Sequence, residues 1–320
     1  MSAKFPKRPL IRKLGTIECN NIVETTPIIW KDELYRFEVV RRRSFTAGSS
    51  GQIAHWQDLE DSPCLRFIHV RSNTSTPLFA DDHTFGFPYA IGDTMYVVTG
   101  DSKKWGADKL DFYRSTDLVS WEKYSEIYLP GWKIYNMNIA KMGDTYTLMI
   151  EISEPVEEAG PHPFTFRFLQ SRDMINWELT PSDHVFQKDR YSGSPALYTL
   201  EGDPYYYVGY LEEYPNYRFG NSLARSKDLV NWEYSPINPV LMYNEAEDKQ
   251  IASKFLTPAD RARIDAALDT NNSDMELCEY QGRTIIYYSW GDQRGTEFLA
   301  EACYEGSMKD FLQGFFEVRE

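Results

Sequence analysis

Apolar and polar residues along this chain follow one repeating order: a polar start, a short apolar run, a turn, then a run rich in tyrosine and β-branched residues. The unit first reads Glu24-Thr-Thr-Pro-Ile-Ile-Trp30, a Lys-Asp-Glu turn, and Leu34-Tyr-Arg-Phe-Glu38-Val-Val. It returns at His83–Ile91 with Met95 onward, at Tyr135–Lys141 with Tyr146–Glu151, at Tyr191–Tyr198 with Tyr205–Tyr210, and at Asp274–Tyr280 with Thr284–Trp290. Gly-Asp, Gln-Gly and similar steps between the paired runs are hairpin signals, so five β-hairpins are predicted.

A second phrase follows three of the hairpins. Ser115-Thr-Asp-Leu-Val-Ser-Trp121, Ser171-Arg-Asp-Met-Ile-Asn-Trp177 and Ser226-Lys-Asp-Leu-Val-Asn-Trp232 share the pattern S-x-D-[LM]-x-x-W, at intervals of 56 and 55 residues. A repeat of about 50 residues marks an array or propeller. The Ser and Asp side chains are suited to bond backbone N–H groups ahead of them and close a tight turn. The Trp then offers a large wedge for packing. The pattern predicts an all-β fold: one five-bladed β-propeller spanning residues 1–320, with blades near 22–75, 83–124, 135–180, 191–236 and 273–318. Gly306-Ser-Met-Lys-Asp310-Phe-Leu reads as a degenerate copy of the phrase, in keeping with atypical terminal repeats.

Two stretches break the period. Residues 41–64 read as a long loop inside blade one. Residues 244–272 carry Thr257-Pro258-Ala-Asp260, an N-cap with proline at the first helical position, and predict one short helical insertion between blades four and five. Both are expected to wall the channel mouth.

The topology sorts candidate chemistry. In a four-stranded blade the start of the innermost strand and the end of the second meet at one mouth, and the S-x-D-L-x-x-W turns lie on the opposite face. Glu24, His83, Asn136, Asn138, Arg190, Ser192, Asp274 and Glu276 come to the mouth from strand starts, and Glu38, Asp101, Glu151, Glu212 and Asp292 from strand ends. Crowded carboxyls there suit glycosidic bond cleavage, which needs one protonated and one ionised acid. Glu24, Glu151, Asp274 and Glu276 are the expected catalytic set. His83, Asn136, Asn138, Arg190, Ser192, Glu212 and Trp290 are the expected substrate-binding residues. The bland readings stay open beside these: Glu24 as a strand cap, Glu151 in a structural ion pair, His83 as a hydrogen-bonded structural residue, Arg190 as a partner of the acids.

Composition narrows the partners. Against 34 Lys and Arg stand 48 Asp and Glu, a net charge of −14, which argues against nucleic acid and anionic membranes. Cys19, Cys64, Cys278 and Cys303 are scattered, without zinc-ligand spacing or a dense disulfide framework. No cofactor or metal is called for, with a divalent cation left open. No run approaches a membrane span, and the chain reads as cytoplasmic, with a trimmed secretion signal left open. The oligomeric state is not legible.

On the S-x-D-L-x-x-W hairpins and the proline-containing inner strands, roughly residues 22–316, the chain resembles the five-bladed propeller glycosidases, glycoside hydrolase families 43, 62, 32, 68, 117 and 130. The resemblance implies the propeller fold and an oligosaccharide substrate. Family 43 further implies an Asp before proline in blade one, an Asp in blade three and a Glu in blade four. Here Thr26 precedes Pro27, blade three offers Asn136 and Asn138, and blade four Ser192 and Ser194, so that triad does not carry over. The expectation is an exo-acting hydrolase of oligosaccharides from plant or algal polysaccharides, with a glycoside phosphorylase or a non-catalytic carbohydrate-binding propeller as alternatives.

Overall fold

The computed structural model describes residues 8–19, 24–41, 62–104, 106–162 and 164–316. Strand β1 (Arg12–Glu18) opens the chain. Blade one follows with β2 (Thr26–Trp30), β3 (Glu33–Arg41), β4 (Pro63–His69) and β5 (Thr74–Ser75). Blade two holds β6 (His83–Ile91), β7 (Thr94–Asp101), β8 (Lys109–Ser115) and β9 (Glu122–Tyr128). Blade three holds β10 (Lys133–Met142), β11 (Thr145–Glu154), β12 (Thr165–Ser171), β13 (Glu178–Leu179) and β14 (Val185–Phe186). Blade four holds β15 (Gly193–Thr199), β16 (Tyr206–Tyr214), β17 (Arg218–Ser226), β18 (Glu233–Tyr234) and β19 (Leu241–Met242). Blade five holds β20 (Asn271–Tyr280), β21 (Arg283–Gly291) and β22 (Glu297–Tyr304). Each blade is an antiparallel meander, so the predicted five-bladed propeller stands.

The repeated phrase works as its residue types require. The Ser115 hydroxyl accepts from Leu118 N at 2.9 Å, and Asp117 Oδ1 accepts from Val119 N at 2.8 Å and Ser120 N at 2.7 Å. The copies at Ser171/Asp173 and Ser226/Asp228 repeat these bonds. Leu118, Met174 and Leu229 all adopt positive φ, near 60°, and are buried. That left-handed step is costly for a bulky residue; here the two side-chain caps and burial of the apolar group hold it. Each Trp then wedges onto the preceding blade. Trp121 stacks on Phe79 of blade one (3.9 Å between centroids), Trp177 on Phe112 of blade two (5.6 Å) and Trp232 on Phe168 of blade three (6.0 Å).

Blade five departs from the sequence reading. Residues 306–312 do not repeat the phrase; Met308–Gly314 is a helix capped by Ser307. Its Phe311 and Leu312, with Phe315 and Phe316 beyond, pack on blade four beside Tyr207, taking the place of the Trp wedge. The outermost strand of this blade is β1, paired with β22 from Arg12↔Cys303 to Glu18↔Leu299. The heptapeptide Arg-Lys-Leu-Gly-Thr-Ile-Glu alternates weakly, so its strand character comes from its partner rather than from its own pattern.

Four helices are present among the described residues, where one was expected. The expected one runs over Pro258–Ala266, with the Thr257/Asp260 capping box in place. It rests on the outer rim of blade five, where Ile264 joins Cys19 and Phe298 in the core. It does not wall the channel mouth. Of residues 41–64, the other expected wall, Arg41 ends β3, Ser62 precedes β4, Pro63 and Cys64 open it, and residues 42–61 lie outside the described residues.

Candidate active site

The inner strands of blades two to five each break register at the mouth, between Thr84 and Phe87, Ile134 and Met137, Gly193 and Ala196, and Ser273 and Glu276. Such bulges re-aim side chains and gather at functional sites. Phe85, Ser194 and Asp274 within them, and Glu24 just ahead of β2, all carry φ between 51° and 57°. Four blades thus hold a non-glycine residue in a left-handed conformation at the same level of the ring, a strain that packed surroundings must maintain.

These turns surround a hollow of about 300 Å³, including its open mouth, lined by Glu24, Thr26, Gly86, Asn136, Met137, Ser194, Pro195, Asp274 and Glu276. No lysine, arginine or histidine is among the described residues that line it. Glu24, Asp274 and Glu276 come from the expected catalytic set. Glu151 lies one layer behind: its Oε2 accepts from Asn136 Nδ2 at 2.7 Å and from Asn136 N at 3.3 Å. Glu276 accepts on both oxygens, from Asn138 Nδ2 at 3.0 Å on Oε1 and from Tyr198 OH at 2.9 Å on Oε2.

Burial dominates the electrostatics. It pushes Glu151 and Glu276 up to about 8, against hydrogen bonds from Asn136 and from Tyr198 and Asn138 that pull the other way. Glu24 stands well above the usual carboxylate range through burial and the charges of Asp274, Glu151 and Glu297. Asp274 is raised by burial alone and opposed by the hydroxyls of Ser273 and Ser194. The relation is one-sided. The charge of Asp274 raises Glu24, Glu151, Glu276 and Glu297, while no neighbouring acid raises Asp274. The serine hydroxyls around Asp274 oppose its burial, whereas Glu24 feels the charges of its neighbours as well as burial, and such differences push the carboxyls of a cluster apart.

The remaining expected binding residues stand elsewhere. Asn136 lines the hollow, but Asn138 is fully buried and serves Glu276. Ser192 is sealed inside, and Ser194 takes the lining position. Arg190 is exposed and pairs with Glu212 at 3.2 Å, while Glu212 also accepts from Ser222 Oγ and Tyr214 OH. Trp290 is fully buried, stacked on Phe298 and bonded to Thr16 Oγ1 at 2.9 Å, so it ties β1 to its blade. His83 is buried against Asp111 (3.1 Å) and the Asp81 carbonyl (2.8 Å). His83, Asp101 and Asp111 bring ligand-type atoms within 4.8 Å of one another. Lys109 (2.8 Å from Asp101) and Lys123 (2.9 Å from Asp111) pair with these acids, so their described contacts are those of an ion-pair network.

Sequence reasoning missed Tyr198 and Glu297. Tyr198 is one of many strand tyrosines, and its reach from blade four to blade five has no local signature. Glu297 begins a third strand, a position the mouth rule did not consider; burial pushes it up to about 8 beside Asn271.

No protein-family model matches the chain, and no curated protein matches it in sequence. Solved structures do. The chain is similar to BT0996 in its RGII complex (13% identity over 94% of this chain and 93% of that one, TM-score 0.58). It is similar to the α-L-arabinofuranosidase PaAbf62A from Podospora anserina in complex with cellotriose (8% identity, 94% and 98%, TM-score 0.57). It is also similar to the Bombyx mori family 32 β-fructofuranosidase BmSUC1 (11% identity, 91% and 61%, TM-score 0.53). At these identities the likeness establishes the fold: the chain has the five-bladed β-propeller architecture of glycoside hydrolases.

Proposed function

We propose that the protein is a glycoside hydrolase that removes single sugar units from the ends of neutral oligosaccharides of plant or algal origin. The observation carrying this reading is the convergence of Glu24, Asp274 and Glu276, three buried carboxyls from two blades, on one hollow at the channel mouth. Asp274 serves as the ionised base or nucleophile, and Glu276, protonated near neutrality and aimed at the same hollow, as the general acid toward the leaving oxygen. Glu24, also protonated, meets a sugar hydroxyl. Glu151 holds Asn136 against the hollow's wall. The hollow is narrow, ringed by the inner-strand starts of the blades, which suits a chain end rather than the middle of a polysaccharide. A site built only to bind neutral sugar gains nothing from burying several carboxyls together, whereas acid–base catalysis needs shifted acids. A phosphorylase would hold a phosphate dianion beside Asp274, and among the described residues that line the hollow there is no cation for it.

The test is a panel of 4-nitrophenyl glycosides assayed with and without inorganic phosphate. Phosphate-independent release that falls about 10²–10⁴-fold in Asp274→Asn and in Glu276→Gln supports hydrolysis. Phosphate-dependent turnover would make it a phosphorylase, and sugar binding without turnover would make it a binding propeller.

A further inference from the structure

Tyr198 sits near the end of β15 in blade four and is almost wholly buried, yet its hydroxyl crosses to blade five. Two bonds meet on that one oxygen. It accepts from the backbone N of Leu277 at 2.8 Å and donates to Glu276 Oε2 at 2.9 Å. A phenol has a single proton. The Leu277 N–H occupies the oxygen's acceptor side, and no acceptor for the phenol proton other than Glu276 is found among the described residues. The donor direction is therefore set by the backbone and does not depend on whether Glu276 is ionised. On the other side of the carboxyl, Asn138 Nδ2 reaches Oε1 at 3.0 Å and leaves that oxygen a further lone pair, while Asn138 Oδ1 is sealed without a partner.

We propose that Tyr198 is a positioning residue for the acid: it keeps Glu276 Oε2 a permanent acceptor, so that the transferable proton resides on Oε1, and it stabilises the carboxylate left when that proton goes to the leaving oxygen. The inference rests on the reading of Glu276 as general acid. In the step itself the Oε1–H bond breaks, the glycosidic oxygen takes the proton as its bond to the sugar carbon breaks, and the electron pair stays on Glu276. The resulting charge then lies between two donors already in place, Tyr198 OH and Asn138 Nδ2, and needs no reorganisation. Burial, with the charge of Asp274, holds Glu276 protonated at neutral pH, and these two donors oppose it, which leaves the acid able to part with its proton. The arrangement also explains why a tyrosine in the interface between two blades keeps its polar end buried.

The experiment replaces Tyr198 by Phe, which keeps the ring, and reads Glu276 directly by infrared difference titration of its carboxyl band, assigned by subtraction of Glu276→Gln. The Glu276 titration should move up by about one pH unit or more, the effect of losing a hydrogen bond to a charged group. On whichever aryl glycoside is cleaved, kcat should fall about tenfold or more with KM within about twofold, and the basic limb of the kcat profile should move up with the band. A Tyr198→Phe variant with lowered thermal stability but an unmoved band and limb overturns the proposal, because that is what a packing role alone produces. Should Tyr198→Phe fail to fold, 3-fluorotyrosine installed at position 198 retains the ring and the hydroxyl while making it a stronger donor. The band should then shift down; an unmoved band overturns the proposal equally. The infrared titration needs no substrate. A shifted band in a protein that cleaves no glycoside would leave the Tyr198–Glu276 link standing and refute the glycosidase reading instead.

Discussion

The two ends of the propeller use the same functional group in opposite ways. On the turn face, Asp117 lies in the open and is held down to about 2 by backbone N–H groups of its own loop, from Ser120 and Val119. At the mouth, Glu276 is enclosed and pushed up to about 8, and its partners come from blades three and four. A carboxylate solvated by its own backbone is stabilised as an ion and builds structure. One stripped of water by distant parts of the chain is held as an acid, and the fold bears that cost. On the proposed function, structure-building and chemistry fall on opposite faces of one ring.

The largest effect should come from the mouth. Asp274→Asn and Glu276→Gln should each lose about 10²–10⁴ in kcat with the melting temperature unchanged or raised, since each removes a strained ionisable group. A collapse of folding in either would break the comparison by showing that the mouth acids hold the ring together.

Next in size, Trp177→Ala on the turn side should cost about 2–4 kcal/mol of stability by opening a gap against Phe112. Here the folded fraction should keep its kcat. Chemical denaturation beside an activity assay decides between the two outcomes.

A third test contrasts the faces by pH. A carboxyl raised from 4.5 to about 8, as in Glu276, favours the folded state fully below pH 4.5, and that contribution is lost as pH rises through about 8. Asp117, lowered from 3.8 to about 2, does the reverse: its contribution is present above pH 3.8 and lost as pH falls through about 2. Melting temperatures should therefore decline from pH 5 to pH 8, and Glu276→Gln should flatten that decline while leaving the acid edge where it was. Because the mouth acids interact, the slope reports the cluster rather than one residue.

The smallest effect is at a single turn. Ser171→Ala removes the acceptor of Met174 N and should cost about 1 kcal/mol, read from denaturant midpoints, without touching the mouth.

The contrast also explains what could be read in the sequence. The turns are local: Ser171, Asp173, Met174 and Trp177 lie within seven residues and satisfy one another, so their spacing alone announces the blade. The mouth is legible only through topology. Glu24, Asp274 and Glu276 reach it because strand starts must, but nothing near Tyr198 in the chain signals that it serves Glu276, 78 residues later. Arg190, Ser192, Glu212, His83 and Trp290 obey the same strand-end rule and stand elsewhere, because a register break of one residue decides which side chain turns inward. The closing strand β1 was hidden for a related reason, since its pattern is too weak without Cys303 and Leu299 opposite.

That closing strand imposes an order in time. Arg12–Glu18 leaves the ribosome long before its partner Leu299–Cys303, some 285 residues downstream. During synthesis at about 5–20 residues per second, blades one to four have tens of seconds to form while β1 waits unpaired. Asp274 and Glu276 belong to the blade that waits. The mouth is therefore the last part of the molecule to come into being, and on the proposed function an incomplete nascent chain carries scaffold without chemistry.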